Sequence, residues 1–158
     1  MGKKILQGKQ TQKVLAFYKP VGVTCTERDP HAEKKIMDMI RYPERLTYAG
    51  RLDKDSEGLI LLTNDGDLIN AMMRGANRHE KEYIVKTDRE ITPDFLEKMA
   101  KGIYLKDLDI TTRECKIEQI GKFTFRIVLT QGVNRQIRRM CEACGYRVKA
   151  LKRIRIMN

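Results

Sequence analysis

The residues best suited to chemistry lie in one glycine-bounded loop, residues 50–58. Within nine positions this loop carries the guanidinium of Arg51 and the carboxylates of Asp53 and Asp55, and an apolar run over residues 59–62 follows it directly. Charged side chains at the end of a buried strand are more typical of reaction sites than of positions that only stabilise a fold. An ionised carboxylate held in such a place can act as a nucleophile or as a base.

The residues alone do not decide between Asp53 and Asp55. An aspartate followed by Ser-Glu-Gly often only accepts hydrogen bonds from nearby backbone amides, which favours a structural role for Asp55. A glycosidase pair is a weaker alternative, because carboxylates two positions apart on one strand cannot flank a scissile bond from opposite sides. The single serine, Ser56, lacks the context of a hydrolase elbow, and the absence of a glycine-rich phosphate loop predicts no nucleotide cofactor.

Four segments spread over most of the chain form an ordered set of motifs. They are Lys19-Pro20-Val21-Gly22-Val23-Thr24, Gly50-Arg51-Leu52-Asp53 with Ser56-Glu57-Gly58-Leu59, Glu80-Lys81-Glu82-Tyr83, and Gly132-Val133-Asn134-Arg135-Gln136-Ile137-Arg138-Arg139-Met140. In this order they resemble the motifs of the RsuA-type ribosomal RNA pseudouridine synthases. The ending Arg155-Ile156-Met157-Asn158 is most similar to the bacterial branch that modifies large-subunit ribosomal RNA.

The resemblance implies an isomerase that needs no cofactor. Such an enzyme flips a uridine out of the RNA, breaks the bond between N1 and C1′, and rejoins the base through C5. The resemblance assigns the catalytic carboxylate to Asp53, the filling of the gap left by the flipped base to Arg51, and packing against the uracil to Tyr83. On residue pattern alone, Arg51 could be a surface arginine paired locally and Tyr83 an ordinary core tyrosine.

The resemblance also places Arg138 beside the catalytic carboxylate, where a guanidinium would lower the pKa of an aspartate and keep it ionised. Lys19 and Pro20 are expected to be architectural. A helix with a generic basic face is the alternative for the region around Arg138. Phosphate contacts with RNA are predicted for a basic strip made of Arg135, Arg139, Lys149, Lys152 and Arg153.

The charge of the chain points to a polyanionic partner. Its 158 residues carry a formal charge of +11, and residues 133–158 hold eight Lys and Arg against the single Glu142. Ribosomal RNA is therefore the predicted partner, with an affinity that falls steeply as salt rises. A second hypothesis is a non-enzymatic RNA-binding module on the same fold. Oligomeric state is not predicted.

No metal site or membrane segment is expected. Cys141 and Cys144 fall with Ile137 and Met140 on one helical stripe, and the two histidines stand alone, so the cysteines are predicted to be buried rather than to bind zinc. No run of 18 apolar residues occurs, which argues against secretion and membrane spanning. A cytoplasmic location with reduced thiols follows as the prediction.

The pattern of elements predicts an α+β fold with a mostly antiparallel mixed sheet and flanking helices. Strands are predicted over residues 14–19, 59–63, 81–87, 115–120 and 123–129 and at the C-terminal end, with a type II′ hairpin at Gly121-Lys122. Helices are predicted from Asp29, after residue 66, from Thr92 to Gly102, and from about Arg135, capped by Asn134.

One catalytic domain is predicted over residues 13–158, preceded by a flexible lead-in over residues 1–12. Many relatives begin with a small RNA-binding domain, whereas only eighteen residues precede Lys19 here. We therefore expect no separate N-terminal RNA-binding domain. Substrate capture would then fall to the basic strip.

Overall fold

The computed structural model describes residues 12–25, 46–73 and 79–156. Residues 1–11 of the predicted lead-in and the helix predicted from Asp29 lie outside these ranges. Within the described ranges no helix has the length and apolar character needed to cross a membrane.

The fold centres on one mixed sheet. The described strands are, in chain order, β1 (Val14–Lys19), β2 (Thr47–Tyr48), β3 (Glu57–Thr63), β4 (Lys81–Thr87), β5 (Tyr104–Leu105), β6 (Ile110–Thr111), β7 (Lys116–Gly121), β8 (Thr124–Leu129) and β9 (Val148–Ile156). The main sheet has the order β1-β3-β9-β4-β8-β7, β2 pairs with β3, and β5 pairs with β6 separately. Among the described strands β3 and β9 are parallel and the other pairs antiparallel. The α+β prediction is confirmed.

Three helices accompany this sheet in the described ranges: α1 (Gly66–Met73), α2 (Pro93–Lys101) and α3 (Gln136–Ala143). The predicted α2 is confirmed, because the Thr92 hydroxyl accepts a hydrogen bond from the Phe95 amide and Pro93 occupies the first turn. Before α1, the Asp65 carboxylate accepts from the amides of Asp67 and Leu68, so the turn signal there also begins a helix.

Buried apolar side chains form separate hydrophobic clusters, two of which meet at Tyr83. One cluster joins β4 and β8 to α2 and α3, with Phe95, Phe125 and Met140 almost fully buried. A second lies around β3 and contains Ile60. Tyr83 is half-buried and packs against both clusters, which fixes its ring between the two halves of the sheet.

The predicted hairpin is shifted by one residue. Gly121 pairs with Thr124, so the loop residues between β7 and β8 are Lys122 and Phe123. Gly121 also lacks the positive φ that a type II′ turn requires of its first loop residue, so that turn is not formed. Phe123 therefore sits at the turn, 37% exposed, instead of on the buried face with Phe125.

The start of α3 also differs from the prediction. Arg135, not Asn134, is the N-cap; it adopts a left-handed conformation with φ 49° and ψ 39° and makes no side-chain capping bond. The Asn134 side chain instead accepts a hydrogen bond from Arg139 at 3.1 Å. The predicted buried stripe of α3 is confirmed for Ile137, Met140 and Cys141, whereas Cys144 lies just after the helix and is only half-buried.

Candidate active site

A buried lysine holds the loop over residues 50–58 against the first of the four motifs, residues 19–24. The Lys19 ammonium, 0% exposed, donates to the carbonyl oxygens of Pro20 at 2.8 Å, Val23 at 2.7 Å and Lys54 at 3.4 Å. The Gly22 amide donates to the same Lys54 carbonyl at 2.7 Å. Burial lowers the pKa of Lys19 because desolvation disfavours its charged form. Lys19 thus has the architectural environment expected from the sequence.

At its far end the loop enters β3 beside β9 with almost no space between the backbones. Gly58 is the register partner of Arg153, and a Cβ at Gly58 would lie 2.3 Å from the Arg153 carbonyl oxygen. Gly58 also has φ +119°, which side-chain-bearing residues rarely adopt. A glycine at this position therefore lets β3 begin directly beside β9 in the sheet.

A cavity of about 390 Å³ opens between this loop, the sheet and the start of α3. It brings together residues that are far apart in sequence, and its volume lies in the range of small-molecule sites. Its lining includes six of the predicted site residues, namely Arg51, Asp53, Tyr83, Arg135, Arg138 and Arg153.

Arg135 connects the two loop carboxylates. Its guanidinium lies 3.3 Å from the Asp53 carboxylate and donates two hydrogen bonds to the Asp55 carboxylate, at 3.0 and 2.8 Å. The hydrogen bond from Arg135 lowers the pKa of Asp55, and the nearby charge of Arg138 adds to this. Asp53 and Asp55 are therefore both held beside one guanidinium.

The predicted pairing of Arg138 with Asp53 is not what the structure contains. Arg138 donates to the Asp55 carbonyl oxygen at 2.9 Å and to the Ser56 hydroxyl at 3.1 Å. The guanidinium of Arg135, the first arginine of the motif, occupies the position beside both carboxylates instead. Arg138, almost one turn further along, reaches the end of the loop.

Arg51 lines the cavity but is held at its edge. Its guanidinium donates to the Cys25 carbonyl oxygen at 2.9 Å and lies 5.3 Å from the centre of the Tyr48 ring, a cation–π distance. To occupy a gap in a base stack, this side chain would have to exchange these contacts for contacts with RNA.

The structure buries Arg153, one of the residues predicted to contact RNA phosphates. Arg153 is 3% exposed and donates to the carbonyl oxygens of Leu59 at 2.9 Å and Arg51 at 3.3 Å. The physical reason is that β9 lies inside the sheet, between β3 and β4, so residues on its covered face are buried. On the same strand Lys149 is exposed and Lys152 half-exposed, and both remain available at the surface.

Arg139 is half-exposed, with its guanidinium bonded to the Asn134 carbonyl at 2.9 Å and lying 3.8 Å from the Asp107 carboxylate. It contributes to a second groove beside the cavity. That groove is lined by Arg135, Arg138, Arg139, Glu142, Arg147 and Val148.

Lys81 is a cavity residue that the motif analysis did not single out. It precedes Tyr83 by two positions on β4, and both side chains line the cavity. Side chains two apart on a strand share a face of the sheet, so the prediction for Tyr83 already contained the signal for Lys81.

The described residues contain no cluster of three or more metal-ligating side chains. The four cysteines are free thiols, and burial raises the pKa of Cys141 to about 12 and that of Cys115 to about 11. Thiolates, the form that binds metals and attacks electrophiles, are therefore disfavoured at Cys115 and Cys141.

Comparison with known proteins agrees with this geometry. The sequence profile described as RNA pseudouridylate synthase matches residues 13–143. The dual-specificity RNA pseudouridine synthase RluF of Escherichia coli (strain K12) is 49% identical over 145 residues, which are 92% of this chain and 49% of that protein. The ribosomal large subunit pseudouridine synthase B of Yersinia pestis is 36% identical over 150 residues, which cover 90% of this chain and 46% of that protein.

A solved structure described as a pseudouridylate synthase superposes with a TM-score of 0.87 at 28% identity, covering 96% of this chain and 65% of that chain. The human RNA pseudouridylate synthase domain containing 4 gives a TM-score of 0.56 at 15% identity, over 89% of this chain and 65% of that chain, and so supports the fold alone. The chain spans about half the length of the curated relatives that it matches.

Proposed function

This chain belongs to the RNA pseudouridylate synthase family, and we propose that it converts uridine to pseudouridine in ribosomal RNA, with large-subunit RNA as the substrate. The observation that carries the proposal is the placement of Asp53 and Tyr83 on one cavity beside arginines from the start of α3. Domain assignment is part of the proposal: residues 13–158 act as one catalytic domain. Because bacterial ribosomal RNA is cytoplasmic, the proposed site of action is the cytoplasm.

In the proposed reaction Asp53 is the catalytic carboxylate. The bond between N1 and C1′ of the flipped uridine breaks, C1′ joins C5, and the proton lost from C5 is matched by a proton gained at N1. This isomerisation needs no redox partner. Arg135 lies 3.3 Å from Asp53 and places a positive charge beside this carboxylate. Arg135 thereby takes the part that the sequence motif suggested for Arg138.

Tyr83 is proposed to pack against the flipped uracil, because its half-buried ring lines the cavity together with Asp53. Stacking of a base on an aromatic side chain contributes about 1 to 3 kcal/mol. Arg51 is proposed to enter the vacated base stack, offsetting part of the few kcal/mol that base flipping costs. Arg138 is proposed to hold the loop for the substrate through Asp55 and Ser56.

The experiment that tests this function uses unmodified bacterial large-subunit ribosomal RNA. The protein is incubated with the RNA at low salt, and new pseudouridines are mapped by carbodiimide treatment and primer extension. We expect at least one new stop, absent from RNA incubated without the protein.

The matched variant is Asp53→Asn, which keeps the side-chain shape and removes the charge. A synthase should lose product formation by at least about 1,000-fold while it still binds the RNA, because the essential reacting group is gone. If folded wild-type protein binds the RNA and forms no pseudouridine in any ribosomal RNA, the non-enzymatic RNA-binding alternative replaces the proposal.

A further inference from the structure

The cavity contains a second charged region that the proposed roles leave unused. Lys81 on β4 lines the cavity on the same sheet face as Tyr83. Across from Tyr83 on the neighbouring strand β9 lies Arg153, which also lines the cavity. Two cationic side chains therefore accompany the ring that is proposed to hold the uracil.

The Lys81 ammonium has no ion-pair or hydrogen-bond partner within residues 12–25, 46–73 and 79–156. The glutamates on either side of it in sequence are engaged elsewhere, since Arg155 donates to Glu80 at 3.0 Å and to Glu82 at 2.8 Å. Residues one position away on a strand point to the opposite face, which explains why neither carboxylate reaches Lys81.

Arg153 has no carboxylate partner among the described residues either. Two of its nitrogens donate to backbone carbonyls, and its Nη2 is buried without a partner. Burial, with the charge of Arg153 second, lowers the pKa of Lys81. Like charges in a poorly solvated place raise the free energy of the empty site, and a negatively charged oxygen near Lys81 would lower it.

The side chains around Lys81 indicate whether this oxygen belongs to a base or to a phosphate. The sheet face beside Lys81 is apolar, with Leu129 4% and Leu151 6% exposed, and both line the cavity. A planar base fits this wall better than a phosphate does, because a phosphate retains its charge in every state and is strongly hydrated. The arginines that suit phosphates lie at the start of α3, around the neighbouring groove.

We propose that Lys81 donates a hydrogen bond to a carbonyl oxygen of the flipped uracil and stabilises the negative charge that gathers on the base when the glycosidic bond breaks. This inference rests on the proposed function. As the bond between C1′ and N1 breaks, its electron pair enters the pyrimidine ring and spreads over N1 and the carbonyl oxygens. The same pair then forms the bond from C5 to C1′, C5 loses its proton and N1 gains one. Lys81 keeps its own proton throughout.

The test compares Lys81→Met with Lys86→Met, a matched control on the same strand. Lys86 is exposed and does not line the cavity. Each protein, in excess, is mixed with ribosomal RNA carrying tritium at C5 of uridine, which is released as pseudouridine forms. Removing one donor to a developing negative charge costs about 100-fold or more in rate. We expect that loss at saturating protein for Lys81→Met, with RNA affinity little changed, near-normal rates for Lys86→Met, and partial recovery in Lys81→Arg.

A second readout separates this role from a structural one. Among the described residues, the charged groups that line the cavity on other elements are Arg51 and Asp53 in the loop, Arg153 on β9, and Arg135 and Arg138 at α3. The wild-type rate should fall with rising pH below the ordinary lysine range as Lys81 loses its proton, and this fall should be absent in Lys81→Arg, whose guanidinium stays charged. Tyr83 is present in both proteins, so it cannot cause a difference between them.

Three outcomes would overturn the inference. These are rates for Lys81→Met equal to those of Lys86→Met, a loss confined to RNA affinity with a weaker salt dependence, and identical alkaline limbs for wild type and Lys81→Arg. The second outcome would assign Lys81 to a phosphate. If Lys81→Met does not fold, the comparison of Lys81→Arg with wild type still decides. Absence of tritium release from the folded wild type would instead reject the proposed function itself.

Discussion

Arg135 organises the charges of the loop at the scale of single residues. It contacts Asp53 at 3.3 Å and holds Asp55 through two hydrogen bonds, from a left-handed backbone conformation that is uncommon for a side-chain-bearing residue. Unusual backbone conformations of this kind concentrate at functional sites, where surrounding contacts maintain them. Arg135 fits this pattern, because it lines the cavity and contacts both carboxylates.

The pairing of Asp55 with Arg135 should make stability depend on acid pH. Because the pKa of Asp55 is lowered in the folded protein, its contribution is present above the unfolded-state pKa and is lost as pH falls through the folded-state value. The side chain is 49% exposed, so the contribution is small, below about 1 kcal/mol. Asp55→Asn should therefore lower the free energy of unfolding in urea near neutral pH, and the loss should be smaller near about pH 3.

An equal loss of stability at both pH values would contradict this prediction, because it would show that the Asp55 carboxylate acts through shape and not through charge. Asp94→Asn is a suitable control for the effect of removing an ordinary exposed ion pair. Asp94 forms an exposed pair with Lys98 within α2, at 3.2 Å, and such pairs contribute about 0.3 to 0.5 kcal/mol.

The sequence identified the loop, Tyr83 and the arginine-rich helix, and the structure brings them to one cavity. The sequence did not identify Arg135 as the partner of Asp53. Helical periodicity predicts which arginines share a side of α3, but it carries no information about the backbone conformation of the residue before the first turn. In the structure this residue, Arg135, has a left-handed conformation and lies beside Asp53, whereas Arg138 bonds Asp55 and Ser56.

At the scale of elements, the site depends on the close parallel approach of β3 and β9. This approach requires Gly58, whose added Cβ would lie 2.3 Å from the Arg153 carbonyl oxygen and 2.5 Å from its amide nitrogen. Both contacting atoms belong to backbone in the middle of a sheet, so neither can move aside at low cost.

Gly58→Ala should consequently destabilise the protein by about 2 to 4 kcal/mol, from the overlap and from the positive φ together. Gly66→Ala is the matched control, because Gly66 begins α1, has no positive φ and has no atom within 4 Å of an added Cβ. That variant should be neutral or slightly stabilised. Urea unfolding of both variants measures the difference, and similar stabilities would show that β3 and β9 can separate without cost.

The elements were largely predictable because their boundaries carry local signals, such as Thr92-Pro93 before α2. The irregularity in β9 was not. Arg153 and Arg155 are two apart and should share a face, yet Arg153 pairs with Tyr83 in register while Arg155 bonds Glu82 on the opposite face. The register of β4 and β9 shifts between Glu82 and Tyr83, as at a β-bulge, and this shift separates the two arginines.

At the scale of the whole molecule, the chain has a formal charge of +11, and the described residues show where part of this charge lies. On the sheet face opposite the cavity, Arg126 and Arg155 are paired with carboxylates, including Glu82 between them. The groove beside the cavity has four arginines and a single glutamate in its lining. Within the described residues, the lining of that groove therefore has an excess of positive charge, on the side where the proposed RNA substrate would enter the cavity.

This distribution predicts a salt dependence that can be traced to individual residues. RNA affinity should fall linearly on logarithmic scales as salt rises from about 50 to 200 mM, because phosphate contacts release counterions. Lys149 is exposed on β9, within the basic C-terminal segment, so Lys149→Gln should reduce the slope by about 1 and weaken binding uniformly across RNA sequences.

Lys101→Gln is the control, since Lys101 lies on α2 near Glu97 and lines neither the cavity nor the groove beside it. Filter binding over the salt range measures both slopes. An unchanged slope for Lys149→Gln would show that the RNA follows the arginines of α3 without reaching β9, and would restrict the binding surface to the cavity and its neighbouring groove.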